Sequence, residues 1–161
     1  MYIIVGLGNS GEEYARTRHN TGRMAADFIA GKIEGIRVVT PDTFMNNSGS
    51  AVAKAMVGKS AKKLIVIYDD LDLPLGAIKI SYNRGSGGHK GVESIIKALK
   101  TKEFIRIRIG IDRNVEVEKY ILSEFKKSEY EVLKKVFKRV QEAIETIVES
   151  GLTRAMTKFN S

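Results

Sequence analysis

The sequence predicts a single three-layer α/β domain over residues 1–161, with a β-sheet flanked by helices. Three observations lead there. The chain has 161 residues, and one domain commonly takes roughly 100–200. Short apolar runs, ended by glycine or by acidic turns, alternate along it with stretches of helical periodicity. Hydrophobic residues make up 43% and charged residues 29%, a globular mix that excludes a disordered or collagen-like chain.

Residues 2–5 (YIIV) form an apolar run stopped by Gly6, the pattern of a buried strand. A glycine-rich loop follows over 6–11, then a helix over 22–30 with Met24, Phe28 and Ile29 on one face. Residues 36–39 read as a second strand and 41–47 as a loop. Ser48 is placed to cap a helix to about residue 57, because Ala51, Val52, Ala55 and Met56 make a stripe of period 3.6. The KLIVIY run, 63–68, is the clearest strand, β-branched and ended by Asp69-Asp-Leu-Asp72 and Pro74. Residues 77–82 alternate as an antiparallel neighbour would, 83–88 form a glycine-rich loop, and 89–99 return to helix. FIRIRIGI, 104–111, alternates so that one face is core and the other presents Arg106 and Arg108. Ser128 with Glu131 predicts a capping box for a helix running to Ser150. Its buried stripe is Tyr130, Leu133, Phe137, Val140, Ile144 and Ile147, and Gly151 is its stop.

Composition narrows the chemistry. With no cysteine there are no disulfides, thiolate-bound zinc, iron–sulfur clusters or thiol nucleophiles, and His19 and His89 are the only histidines. The 27 Lys+Arg against 19 Asp+Glu leave +8, a field that favours anionic partners. Residues 116–149 hold 8 acids and 7 bases, so the excess lies elsewhere, among the loops that carry both histidines. No apolar run reaches the roughly 18 residues of a membrane span. Met1 leads straight into a strand without a leader pattern. These features predict a soluble cytoplasmic protein without membrane partners.

In an open α/β sheet, ligands sit outside the carboxyl ends of the strands, and the unusual residues of this chain fall on the loops that follow strands. Asn9 and His19-Asn20 come after the first strand, Met45-Asn46 after the second, Asp69 after KLIVIY, and His89-Lys90 after the next. Gly6-x-Gly8-x-x-Gly11 has the dinucleotide-binding spacing. Glu12 and Glu13 nevertheless follow it where a pyrophosphate needs positive potential, and Glu34 precedes the second strand instead of ending it. The loop is better suited to placing Asn9. A lone histidine is commonly a surface or cap residue. His19 becomes a base only if a carboxylate holds its ring, and Asp69 is the candidate from another loop. A carboxylate metal pair lacks an acidic partner on the remaining loops. Neither a G-x-S-x-G elbow nor a Walker A lysine is present.

GLGNSGEEYARTRHNTG, PDTFMNNSG, IYDDLDLPLG, GSGGHKG and FIRIRIGI occur in that order, and the chain closely resembles the bacterial-type peptidyl-tRNA hydrolases. The similarity includes EKYILSEF and the terminal AMTKFN. It implies one α/β domain with a twisted mixed sheet, acting as a cytoplasmic monomer. It implies hydrolysis of the ester joining a peptide to the 3′-terminal ribose of tRNA, without metal or other cofactor. By motif, His19 corresponds to the general base, Asp69 to the carboxylate that orients it, and Asn9 to a catalytic asparagine. Asn46, Met45, Tyr14, His89 and Lys90 correspond to substrate-binding positions, and Arg108, with Arg106 on the same strand face, to tRNA-backbone contacts. Four departures stand out. Ser10 replaces the usual proline, which predicts a looser loop around Asn9, and the connection 31–40 is shorter than usual. Lys90 replaces an asparagine and is expected to reach a phosphate or to fold onto Asp69 or Asp70, while Ser81 lies near where a lysine is usual. The rival readings are an RNA-binding protein that has lost hydrolysis and, further off, a nicotinamide-dependent oxidoreductase.

Overall fold

The computed structural model describes residues 1–160. Its sheet has five strands, β1 (Tyr2–Gly6), β2 (Ile36–Val39), β3 (Leu64–Asp70), β4 (Ile78–Tyr82) and β5 (Ile105–Gly110), in the order β2-β1-β3-β5-β4. The first four positions in that order are parallel, and β4 closes the edge antiparallel to β5. The alternating segment 77–82 is thus an antiparallel neighbour as expected, and its partner is the strand that follows it.

Side chains of a strand alternate between faces, and both faces of this sheet are buried. Ile4, Ile65, Ile67 and Ile107 lie in a core shared with α1 (Thr21–Ile29), α5 (Lys127–Ser150) and α6 (Leu152–Phe159). Ile3, Val5, Val66 and Tyr68 face α2 (Ser48–Ala55) and α3 (Lys90–Leu99). The sixth helix, α4 (Val117–Ile121), is one short segment before α5. Double coverage explains why β1 and β3 read as continuous apolar runs. The α5 stripe holds Leu133, Phe137, Val140, Ile144 and Ile147 as expected and adds Val136 and Ala143, while Tyr130 is only half-buried.

Three local expectations are corrected. The box that starts α5 lies two residues earlier, where Lys126 N–H donates to Glu129 Oε1 at 2.7 Å. Ser48 is the first residue of α2 and not its cap, since its hydroxyl donates back to the Met45 carbonyl at 2.7 Å. The second face of β5 does not open to solvent: Arg106 is 0% and Arg108 7% exposed. A central strand has no solvent face, so its arginines are satisfied internally. The Arg106 guanidinium donates to the carbonyls of Lys102, Phe104 and Arg84 and lies on the Phe104 ring.

Helix α1 lies so close to β3 that a Cβ on Gly22 would stand 2.1 Å from the Ile67 carbonyl oxygen, whereas one on Gly85 would meet nothing within 4 Å. Overpacking of this kind costs about 1–3 kcal/mol. Gly22→Ala is therefore expected to lower the melting temperature by roughly 2–12 °C, and Gly85→Ala to change stability by no more than about 0.5 kcal/mol. Thermal denaturation of the two variants checks the contrast; equal melting points would refute the close approach.

Candidate active site

The parallel strands end at one edge of the sheet, and their following loops enclose a cleft of about 530 Å³. Asn9, His19, Met45, Asn46, Asp69, His89, Lys90 and Arg108 all line it. Tyr14 does not; its ring packs edge-on against exposed Phe44, with centroids 6.0 Å apart. Arg106 is also absent from the wall, and its burial removes it as a contact for a bound polyanion.

Asp69 ends the apolar run of β3, which carries its carboxylate into the interior at 4% exposure. One oxygen accepts from His19 Nδ1 at 2.8 Å and the other from His89 Nε2 at 2.9 Å. The second contact fixes a tautomer. His89 caps α3, and its Nδ1 accepts from the backbone N–H of Gly91 and Val92, so the ring hydrogen sits on Nε2. Tyr68 packs edge-on against the same ring at 4.9 Å. On His19 the hydrogen is on Nδ1, facing Asp69, which leaves the Nε2 lone pair for the cleft.

Burial works against the His19 imidazolium, but the attraction of Asp69 and its hydrogen bond outweigh burial and raise the pKa above the ordinary histidine value; Lys90 pulls weakly the other way. For Asp69, burial alone would push the carboxyl up. The two imidazoles more than reverse this and hold it well below the usual carboxylate range. His19, Asp69 and His89 offer ligand atoms within 4.8 Å of one another, a spacing a metal ion could use. Both ring hydrogens and both carboxylate oxygens are committed to the hydrogen-bonded relay, so an ion would have to displace two protons first.

Asn9 is fixed on three sides. Its backbone N–H donates to Asn20 Oδ1 at 2.8 Å, its carbonyl accepts from Asn20 Nδ2 at 3.0 Å, and its Oδ1 accepts from Met45 N–H at 2.7 Å. The amide orientation follows from this network, and Nδ2 remains a donor for whatever occupies the cleft. Gly6 and Gly8 serve the same placement: a Cβ on Gly8 would meet Asn20 Cγ at 2.9 Å, and one on Gly6 the Gly22 carbonyl at 2.4 Å. At Ser10, where the loss of proline predicts a looser loop, the structure adds a tether. The Ser10 N–H, which a proline lacks, donates to the Thr43 carbonyl at 3.0 Å and ties this loop to the one carrying Met45.

His19 sits in a short 3₁₀ turn anchored by its neighbour. Arg18 is 6% exposed, donates to Ser123 Oγ at 2.8 Å, pairs with Glu129 at 2.9 Å and lies over the Tyr120 ring at 4.5 Å. Arg108 is likewise engaged, by Asp70 at 2.8 Å and by Ser81 at 3.0 Å. Expected on the open face of its strand beside Arg106, it lies instead in an ion pair in the cleft wall. Lys90 is exposed and pairs with neither Asp69 nor Asp70. The residue pattern put Asn20 on the site's loops but did not reveal its hold on Asn9, the anchoring by Arg18 or the His89–Asp69 bond. Asn20 follows His19 directly and is the one of these that adjacency could have suggested.

A family model described as Peptidyl-tRNA hydrolase matches residues 3–37 and 30–161. A peptidyl-tRNA hydrolase of Thermodesulfovibrio yellowstonii is 42% identical over 185 aligned positions, covering 99% of both chains. One of Fervidobacterium nodosum is 42% identical, covering 99% of this chain and 96% of the relative. The crystal structure of peptidyl-tRNA hydrolase from Acinetobacter baumannii superposes with a TM-score of 0.93 at 28% identity, over 100% of this chain and 95% of that one. The family match breaks and overlaps at 30–37. The 185 aligned positions also exceed the chain's 161 residues. Both facts agree with a shortened connection over 31–40.

The tautomers can be checked directly. Nitrogen-15 NMR is expected to show His19 as the Nδ1–H and His89 as the Nε2–H form at high pH, with His19 titrating above about 6.5. In Asp69→Asn the attraction is gone while burial stays, so the His19 midpoint is expected to fall. An unmoved midpoint would mean that Asp69 does not set it.

Proposed function

The chain belongs to the peptidyl-tRNA hydrolase family, and on that premise we propose that His19, held by Asp69, activates a water molecule against the ester of peptidyl-tRNA. The protein is a hydrolase acting on ester bonds, with peptidyl-tRNA as its substrate. The observation that carries the mechanism is the proton inventory of His19: Nδ1 bonded to a buried carboxylate, Nε2 without a protein partner, and the ring on the cleft wall.

In this reading Nε2 takes a proton from water as the water oxygen bonds to the ester carbonyl carbon. The negative charge that develops on the carbonyl oxygen is met by the Asn9 Nδ2–H, with exposed Asn46 as a second amide donor, and Met45 forms an apolar floor beside them. Collapse breaks the bond to the ribose oxygen, which recovers the proton from the imidazolium. Peptide carboxylate and free tRNA leave. Asp69 stays ionised throughout, orienting the ring and stabilising its cation, and His89 holds Asp69 from the other side. No metal enters the scheme. The loops of one chain supply every group named, which supports a monomer, and we place it in the cytoplasm, where translation releases its substrate. Among the described residues no helix is long and apolar enough to cross a membrane.

The +8 charge supplies attraction to the tRNA backbone. With Arg106 buried and Arg108 paired, Arg84 on the glycine-rich loop and Lys90 are the exposed cleft cations outside the ion pairs formed among the described residues, and Arg106 grips the Arg84 carbonyl from below.

His19→Ala is expected to lower kcat by about 10²–10⁴-fold while leaving tRNA affinity within a few-fold, since its work is on the transition state. Single-turnover hydrolysis and filter binding separate the two, and near-parental turnover would return His19 to a structural role. Asp69→Asn is expected to lower turnover and move the acid limb of the rate profile to lower pH, because the base is lost on protonation at a pKa that Asp69 raises. Arg84→Ala is expected to reduce the slope of log affinity against log salt by about 0.7–0.9, one phosphate contact. An unchanged slope places Arg84 off the backbone.

A further inference from the structure

We propose that the Lys90 ammonium is a specificity determinant of this cleft, disfavouring tRNA esters that carry a free α-ammonium and so favouring N-blocked, peptidyl esters over aminoacyl ones. The inference rests on the ester-hydrolase reading above and adds to it the basis on which one class of ester is chosen. Both substrates present the same ester to His19. They differ in the α-nitrogen, an uncharged amide in one and an ammonium in the other, about 2.5 Å from the carbonyl carbon that water attacks.

The cleft's other charges are largely spoken for. Asp70 is paired with Arg108 and Asp72 with Arg113, and Asp69 serves two imidazoles. Counting these with Glu118 and Arg84, which also line the cleft, the acids exceed the bases by one until Lys90 is added. Without Lys90 the cleft would attract a cation toward Asp69, whose carboxylate holds the His19 ring. With it, that attraction is cancelled by a charge that pairs with no carboxylate among the described residues.

The position of Lys90 is electrostatically unfavourable for the fold. It is the first residue of α3, at the end where backbone N–H groups already concentrate positive potential and where an acid is preferred. Glu93 supplies the acid that this first turn favours, and Lys90 adds its charge at the terminus on the cleft side. The ammonium and the helix terminus therefore act in the same sense, toward the cleft. Lys90 also acts on His19 through space, lowering its proton affinity, which places its charge within electrostatic range of the reacting centre. A contact to a tRNA phosphate is the competing role for the same cation. It would strengthen both substrates alike, because both carry the same tRNA.

The test compares kcat/KM for one aminoacyl-tRNA and its N-acetylated form, at about pH 6 so that the free amine, near pKa 7.7 as an ordinary α-amino group, is protonated. The full chain, Lys90→Gln and Lys90→Arg are assayed together. The ratio of blocked to free substrate is expected to fall about tenfold in Lys90→Gln, through better use of the aminoacyl ester, and to stay within about twofold in Lys90→Arg. Added salt should lower the ratio in the natural chain and leave it flat in Lys90→Gln. An unchanged ratio in Lys90→Gln overturns the proposal, as does an equal loss on both substrates, which would make Lys90 a phosphate contact. If the natural chain hydrolyses neither ester, the hydrolase reading fails and the filter with it; normal hydrolysis with an indifferent ratio sinks the filter alone.

Discussion

The Asp69 carboxylate, buried and shared between His19 and His89, is the interaction on which the arrangement of the site depends. A buried carboxylate persists as an anion only if both oxygens are satisfied, and here each oxygen takes one imidazole N–H. That requirement dictates the tautomer of both rings. It leaves His19 with its basic nitrogen outward and leaves His89 with its other nitrogen free to cap α3. One charge thus links the end of the central strand, the turn after β1 and the start of a helix. These are segments separated by 50 and 20 residues from Asp69.

The sheet makes that meeting possible. Parallel strands deliver their carboxyl ends to one edge, and double-sided burial keeps the strands rigid beneath the loops. The same burial has a cost at β5, where the face expected to be wet is closed. Its two arginines become internal ties: Arg106 holds the carbonyl of Arg84 under the glycine-rich loop, and Arg108 holds Asp70 and Ser81. They shape the cleft from behind.

Much of this was legible in the residues, for reasons that differ by element. KLIVIY and YIIV announce buried strands because burial on both faces demands uninterrupted apolar side chains. His19 and Asp69 could be paired because polar residues after strands converge at one edge. Arg106 could not be read correctly: alternation reports which side a residue faces, not whether that side is covered, and coverage here comes from a distant loop. The His89–Asp69 bond was hidden for a related reason, since a cap and a ligand of a carboxylate look alike in one dimension. Ser10 misled in the opposite direction. Loss of proline suggests freedom, but it also restores an N–H, and Thr43 receives it.

Arg18 gives the molecule a temporal order. The turn that presents His19 is pinned by Ser123, Glu124 and Glu129, partners 105 to 111 residues further along the chain. During synthesis, residues 18 and 19 leave the ribosome early, but the clamp that holds them can close only after residue 129 has emerged. A nascent copy therefore carries His19 long before the turn that presents it can be pinned. The order of synthesis is thus the reverse of the order of dependence: the first segment made is fixed by one of the last.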